Sequence, residues 1–283
     1  MFDRIIVAYD GSPSAEDALA LGLRLRDPAG GRLVLACVLA SRPWHSPRRP
    51  SSPAAEDEAR EILTEARVRV PAGIPVAVRV AASSSPARGL TELAETERAD
   101  LIVSGSAKGA VDDGRIGLAR TAGRLLAGAP CAVAVAPPGL RETGPFHHVG
   151  VAVDGSPEAD AALRTGYAVA RKDGSAVTLL SALDDVANAS RDDALIARRA
   201  IQERLDAAAD SAPGGVNPRT LFLHGAAGPK IAEACDGVVD LLICGSRSYG
   251  PVQRALLGSV SEELISRARH PVLVIPRQPA AHA

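Results

Sequence analysis

Aromatic side chains are scarce in this sequence: 283 residues hold 1 Trp, 3 Tyr and 3 Phe, 2% of the total. Stacking platforms for single-stranded nucleic acid are built from such rings, so their scarcity argues against that function. Lysine is as rare, occurring only at Lys108, Lys172 and Lys230, and arginine carries nearly all the basic charge. An excess of one charge sign is also missing. The formal net charge is −1, which excludes a global field that would attract nucleic acid or a membrane surface. No apolar run reaches the ~18 residues of a membrane span. The stretch Met1 to Asp10 lacks the basic start and long apolar core of a secretion signal. The four cysteines, Cys37, Cys131, Cys235 and Cys244, form no Cys-x-x-Cys pair. They read as buried, reduced thiols rather than disulfides or a metal site, which predicts a cytoplasmic protein.

What is present is repetition. Hydrophobic residues make up 46% and charged residues 23%, an ordinary globular composition, and the length suits two domains. Arg4 to Pro13 matches His148 to Pro157 at an offset of 144, both ending in Asp-Gly-Ser-Pro. Ala99 to Ser106 matches Val239 to Ser246 at an offset of 140, and Pro130 with its apolar run matches Pro271 at 141. Three ordered matches with small drift mean two copies of one whole domain. The expected domains are 1–138 and 147–277. The Pro- and Gly-rich stretch Pro137–Phe146 reads as an exposed hinge, and Ser41–Pro53 as a surface loop carrying Trp44.

Within each copy, short apolar runs alternate with longer amphipathic segments. The runs in the first copy are Ile5–Tyr9, Leu33–Leu39, Val76–Ala81, Leu101–Val103 and Ala132–Ala136. Those in the second are Val149–Val153, Val177–Ser181, Thr220–Leu223, Leu241–Cys244 and Val272–Ile275. Continuous apolar strands separated by helices predict a parallel sheet covered on both faces, a doubly wound α/β class. Ser12-Pro13, Ser85-Pro86, Ser156-Pro157 and Gly228-Pro229 read as helix starts.

Open parallel sheets bind ligands at the carboxyl ends of strands where the strand order reverses. In the second copy the stretch after the fourth strand runs from Gly245-Ser246-Arg247-Ser248 to Gly258-Ser259-Val260-Ser261, with two arginines and no acid between Gly245 and Gly258. A helix start with exposed N–H groups and the positive end of its dipole suits an anion, and glycines allow close backbone approach to phosphate. The same residues also suit a plain helix cap, since Ser259 and Glu262 have capping-box spacing. Spacing alone leaves both readings open. His147-His148 reads as surface, and no P-loop or nucleophile-elbow motif is present.

The stretch resembles the signature Gly-x2-Gly-x9-Gly-Ser/Thr of the universal stress protein family, here Gly245-x2-Ser248-x9-Gly258-Ser259. The Asp-Gly-Ser turns, the Asp-Leu strands and the closing Pro-Val-Leu-Val-Ile strand resemble that family too, over nearly the whole chain. The resemblance implies two tandem flavodoxin-like domains, each a doubly wound five-stranded parallel sheet of order 3-2-1-4-5. It also implies ATP binding, with Mg²⁺ as a possible companion. On that likeness Asp154 sits by adenine and ribose, Ala182 meets adenine through its backbone, and Gly245, Gly258, Ser259, Val260 and Ser261 hold the phosphates. Ala152, Val153, Gly155, Ser246, Arg247 and Ser248 complete the expected nucleotide-binding set. Ser248 stands where the family has its second glycine, which weakens the site if that backbone is left-handed. The first copy departs further: Asp112 and Asp113 enter its loop, Leu118 stands for Ser259 and Arg120 for Ser261 when aligned from Pro130. It is expected to have lost the triphosphate site. The implied partners are an adenine nucleotide, an unidentified protein, and a second chain in a homodimer, with the two last strands of each chain paired. Three functions follow: an ATP-switched stress regulator with one competent site in domain 2, a nucleotide-free scaffold, and a slow ATPase or phosphotransferase.

Overall fold

The computed structural model describes residues 1–40, 52–106, 115–116, 120–140, 144–184, 191–246 and 259–276. The chain divides into two compact units, Met1–Gly144 and Pro145–Ala283. In unit 1, strands β1 (Arg4–Ala8), β2 (Arg32–Ala40), β3 (Val76–Ser83), β4 (Leu101–Gly105) and β5 (Ala132–Ala136) alternate with helices α1 (Pro13–Leu25), α2 (Pro53–Arg69), α3 (Pro86–Glu97) and α4 (Arg120–Gly128). Unit 2 repeats the plan. Its strands are β6 (His148–Ala152), β7 (Ala176–Leu183), β8 (Arg219–His224), β9 (Leu241–Gly245) and β10 (Val272–Ile275), and its helices are α5 (Pro157–Asp173), α6 (Arg191–Asp210), α7 (Ala227–Cys235) and α8 (Ser259–Arg267).

Strand order is β3-β2-β1-β4-β5 in unit 1 and β8-β7-β6-β9-β10 in unit 2. Within each unit all pairings are parallel. These are two flavodoxin-like sheets. The central strands are apolar on both faces because helices cover both: Ile5, Ile6, Val7, Leu101, Ile102, Val103, Leu241, Leu242 and Ile243 are all fully buried. No helix among the described residues is long and apolar enough to cross a membrane. All four cysteines are buried and unpaired.

The aspartate that recurs before the fourth strand of each unit is structural. Asp100 accepts the amide hydrogens of Asp3 and Arg4 at 2.7 and 3.0 Å, and Asp240 those of His147 and His148 at 2.8 and 2.9 Å. Each carboxylate thereby fixes the start of the neighbouring first strand. His148 is further tied through Nε2 to the Thr178 hydroxyl at 2.8 Å. Among the described residues no cluster of His, Cys, Asp or Glu is fit to hold a metal ion.

Three expectations are corrected. First, Ile102 pairs with Val133 and Leu242 with Val272, so β5 and β10 correspond at an offset of 139, not the 141 read from the prolines. Helix burial agrees: Ala122, Leu125 and Leu126 of α4 match Ser261, Leu264 and Ile265 of α8. Arg120 therefore answers to Ser259, Thr121 to Val260 and Ala122 to Ser261. Second, α7 begins at Ala227 with Ala226 as its cap, so Gly228-Pro229 lies inside the first turn. Ser85 and Ser156 do cap their helices, accepting from Arg88 and Ala159, and Ser52 caps α2 in the same way, accepting from Ala55. Ser12 caps by position only, its hydroxyl bonding Asp10 instead. Third, the stretch expected as an exposed hinge is exposed at Pro138, Gly139, Gly144 and Pro145, but it ends in Phe146, which is 0% exposed and donates its amide to Asp173 at 3.0 Å. Gly139 of the same stretch takes φ +81° and donates its amide to Asp17. The expected loop residues 41–51 with Trp44, and Asp112, Asp113, Gly117 and Leu118, lie outside the described residues.

Candidate functional site

In unit 2 the chain order reverses between β6 and β9, which opens a crevice at their carboxyl ends. A cavity of about 110 Å³ lies there. Ala152, Val153 and Asp154 reach it from the end of β6, Ser181 and Ala182 from β7, Cys244 and Gly245 from β9, and Val260 and Ser261 from α8. Of the thirteen residues singled out from sequence, Ala152, Val153, Asp154, Ala182, Gly245, Val260 and Ser261 thus meet in one place. Gly155 takes φ +78° beside it, in the turn that the Asp154 carboxylate holds by accepting the Ser156 amide at 2.9 Å. Ser246 follows β9 directly, and its amide donates to the Ile275 carbonyl at 2.8 Å. Arg247, Ser248 and Gly258 lie outside the described residues, as does the Ser259 side chain.

The local chemistry has physical causes. Ser261 donates its hydroxyl to the Gly245 carbonyl at 3.1 Å, fastening the first turn of α8 to the tip of β9. Burial pushes the Cys244 thiol up to about 12, so it stays protonated and unreactive at neutral pH. Gly245 is required by close approach: a β carbon there would sit 2.8 Å from Cβ of Glu158 and 2.9 Å from its backbone carbon.

Two residues that sequence reasoning passed over flank this site. Glu158, in the first turn of α5, is only 5% exposed and packs against Gly245, so Asp154 is not the sole acid near the crevice. Glu158 follows Ser156-Pro157 directly and carries no motif of its own. Arg204 of α6 lays its side chain on Gly155, where a β carbon would collide with Nε, Cδ and Cζ. No local motif marks Arg204; only the packing of α6 over the sheet brings it there.

Unit 1 carries the equivalent crevice, a cavity of about 370 Å³. Tyr9 and Asp10 stand where unit 2 has Val153 and Asp154, Val38 where it has Ala182, Ser104 where it has Cys244, and Thr121 where it has Val260. Ile62, not an arginine, packs on Gly11. The Tyr9 hydroxyl is bound to Glu16 and Arg69. Burial, with Glu16 beside it, raises the phenol to about 12.

The chain matches the Universal stress protein family over residues 1–137 and again over 145–276, and it belongs to that family. Solved structures agree on the fold. The chain is similar to a universal stress protein from Archaeoglobus fulgidus DSM 4304 at 20% identity, covering 97% of this chain and 98% of that one with a TM-score of 0.72. It is similar to a putative universal stress protein from Pseudomonas aeruginosa UCBPP-PA14 at 18% identity, covering 98% and 94% with a TM-score of 0.64. A universal stress protein from Archaeoglobus fulgidus in complex with dAMP is 24% identical, covering 46% of this chain and 98% of its own with a TM-score of 0.37.

Proposed function

We propose that this protein is an ATP-binding regulator of the stress response, with the nucleotide acting as effector from one site in unit 2. One observation carries the reading: Asp154, Ala182, Gly245 and Ser261, drawn from four elements, converge on one crevice at the strand reversal. Asp154 there offers acceptors to ribose hydroxyls, and the start of α8 with Gly245 offers backbone to phosphate. Arg204 adds a cation beside the Asp154–Gly155 turn, which favours an anionic ligand. Mg²⁺ would arrive with the nucleotide, held mainly by phosphate oxygens and water. Nucleotide occupancy then biases a surface that an unidentified protein partner reads. Four buried, unpaired thiols suit a reducing compartment, and our reading assigns the cytoplasm. A homodimer belongs to the same reading.

A nucleotide-free scaffold is the second reading. The small volume of the unit 2 cavity, about 110 Å³ against the ~300 Å³ lower bound of ordinary ligand pockets, favours it.

Calorimetric titration of ATP with Mg²⁺ into the full chain decides between them. The ATP reading expects one site per chain, abolished in Gly258→Asp and weakened about tenfold in Arg204→Ala, in keeping with a lost charge-assisted contact. Absence of heat, together with absence of nucleotide released on denaturation, establishes the scaffold reading.

A further inference from the structure

Only the second half of α6 buries side chains. Ile201, Leu205 and Ala208 are buried there, where the helix packs on β7 and β8. From Asp192 to Ala200 no side chain is buried. Leu195 and Ile196 stand in this half, each 67% exposed. Arg198 turns back toward β8, donating to Nε2 of His224 at 2.7 Å with its guanidinium 5.8 Å from the Phe222 ring. A half-helix of this length is marginal in water without an apolar face to bury. Two adjacent large aliphatic side chains left in solvent on it call for a cover.

The charges around that pair say what the cover is. Asp192, Leu195, Ile196 and Arg199 are spaced i, i+3, i+4 and i+7, so they share one face of α6, opposite Ile201, Leu205 and Ala208. This stripe is self-complementary, with an acid at one end, a base at the other and the aliphatic pair between. When two copies run antiparallel about a two-fold axis between positions 195 and 196, Asp192 meets the partner's Arg199 and Leu195 meets the partner's Ile196, and each contact occurs twice. Arg199 is 82% exposed and bonds Glu203 along the helix at 2.9 Å, a weak surface pair that leaves it able to reach across. A foreign helix of one charge sign would match one end of the stripe and be repelled at the other, whereas a second copy matches both. The stripe belongs to unit 2 alone. Ile62 and Arg204 occupy matching places on Gly11 and Gly155, which sets Pro53 and Ala54 of α2 against Leu195 and Ile196.

We propose that the first half of α6 is a self-association surface, through which two copies of this chain pair antiparallel about a two-fold axis. A contact of ~15 Å of helix from each copy falls short of the ~1,200 Å² that stable interfaces bury, so the pair is weak and forms in the micromolar to millimolar range. The contact needs no nucleotide, and it stands whether or not unit 2 binds ATP.

Sedimentation velocity of the full chain, loaded from about 1 µM to about 1 mM, tests it on wild type, Asp192→Arg, Arg199→Asp, the double variant and Leu195→Gln. Wild type should pass from monomer to dimer as concentration rises. Each single charge reversal turns two attractive pairs into two repulsive ones and should weaken the dimer about tenfold. The double variant exchanges the two ends of the stripe and should return to within about threefold of wild type, and an equal mixture of the two single variants should do the same. Leu195→Gln removes apolar contact at the centre twice over and should weaken the dimer about tenfold. All three side chains are exposed in one chain alone, so the helix content of every variant by circular dichroism should match wild type, which separates lost association from lost folding. Three outcomes overturn the proposal. One is a monomer across the whole range, which would assign the stripe to a foreign partner. Another is a dimer that no variant weakens, which would place the contact on a different face. The third is a loss in the single reversals that the double variant does not restore, which excludes the antiparallel register.

Discussion

His270 sits between α8 and β10, 6% exposed, and neither ring nitrogen has a partner. Burial pulls its pKa below the ordinary 6.5, against the opposing pull of the backbone at Pro271 and at His270 itself and of the nearby Asp236 and Asp240 carboxylates. Asp236 itself is engaged by Arg269 at 3.0 Å, and Asp240 by the amides of His147 and His148. The sign of the consequence follows from proton counting. Between the depressed folded value and 6.5 the unfolded chain binds more protons at this site than the folded chain does. Stability therefore falls as pH drops below about 6.5. His270→Leu removes both the titration and the unsatisfied nitrogens, whose burial costs on the order of 1–3 kcal/mol. The variant should be at least as stable as wild type at about pH 7.5 and should lose less on going to about pH 5.5. Urea midpoints at the two values check this, and an equal loss in both proteins would remove His270 from the account. The position also shows how the two copies diverge under one constraint: by the register of β5 and β10, His270 answers to Cys131, and both are buried.

At the scale of elements, the tip of the fourth strand must pass close to the first helix of its unit, because the site is built where they meet. Glycine at Gly105 and Gly245 is the device. A β carbon at Gly105 would overlap the backbone carbonyl of Ser14, and one at Gly245 would reach 2.8 Å from the Glu158 side chain and 2.9 Å from its backbone. Both alanine variants force a backbone shift, which typically costs ~1–3 kcal/mol. Gly105→Ala should be the more destabilising, since its clash falls on a carbonyl that cannot rotate away, and Gly245→Ala should in addition weaken nucleotide binding. Thermal melts and the titration read these effects, and a larger melting loss in Gly245→Ala contradicts the geometry. These strands were legible in the sequence because a strand buried on both faces is a continuous apolar run, as Leu101–Val103 and Leu241–Cys244 are. The Asp-Gly turns and Gly245 were legible because chemistry and spacing coincide there. The match of Pro130 to Pro271 misled, since a residue without an amide hydrogen fits at more than one position before a strand, and only the hydrogen-bond ladder fixes the register. Arg204 and the buried, unsatisfied hydroxyl of Ser106 at the tip of β4 were not legible, because both depend on what packs against them and not on their neighbours in sequence.

For the whole molecule, duplication has produced two crevices at the same place in the fold, of different size and different chemistry. Unit 2 has Ser261 against Gly245 and Arg204 on Gly155, while unit 1 has Ala122 and Ile62 at the matching places and has Ser104 and Thr121 where unit 2 has Cys244 and Val260. A chain built this way should respond to ATP in one unit alone. At a ligand concentration of ~100 Kd, binding stabilises the native state by about 2.7 kcal/mol, and the effect concentrates in segments that touch the ligand. Hydrogen exchange with saturating ATP and Mg²⁺ should therefore slow the amides around Val153 to Gly155, Ala182 to Leu183, Ser246 and the first turn of α8. The equivalent amides of unit 1, Tyr9 to Gly11, Val38 to Leu39 and Ser106, should exchange at unchanged rates, because the described residues that line that crevice include a carboxylate and no cation. Equal slowing in both units would mean that the differences at Ala122, Ile62, Ser104 and Thr121 do not separate the two sites, and the division of labour argued from them would fall.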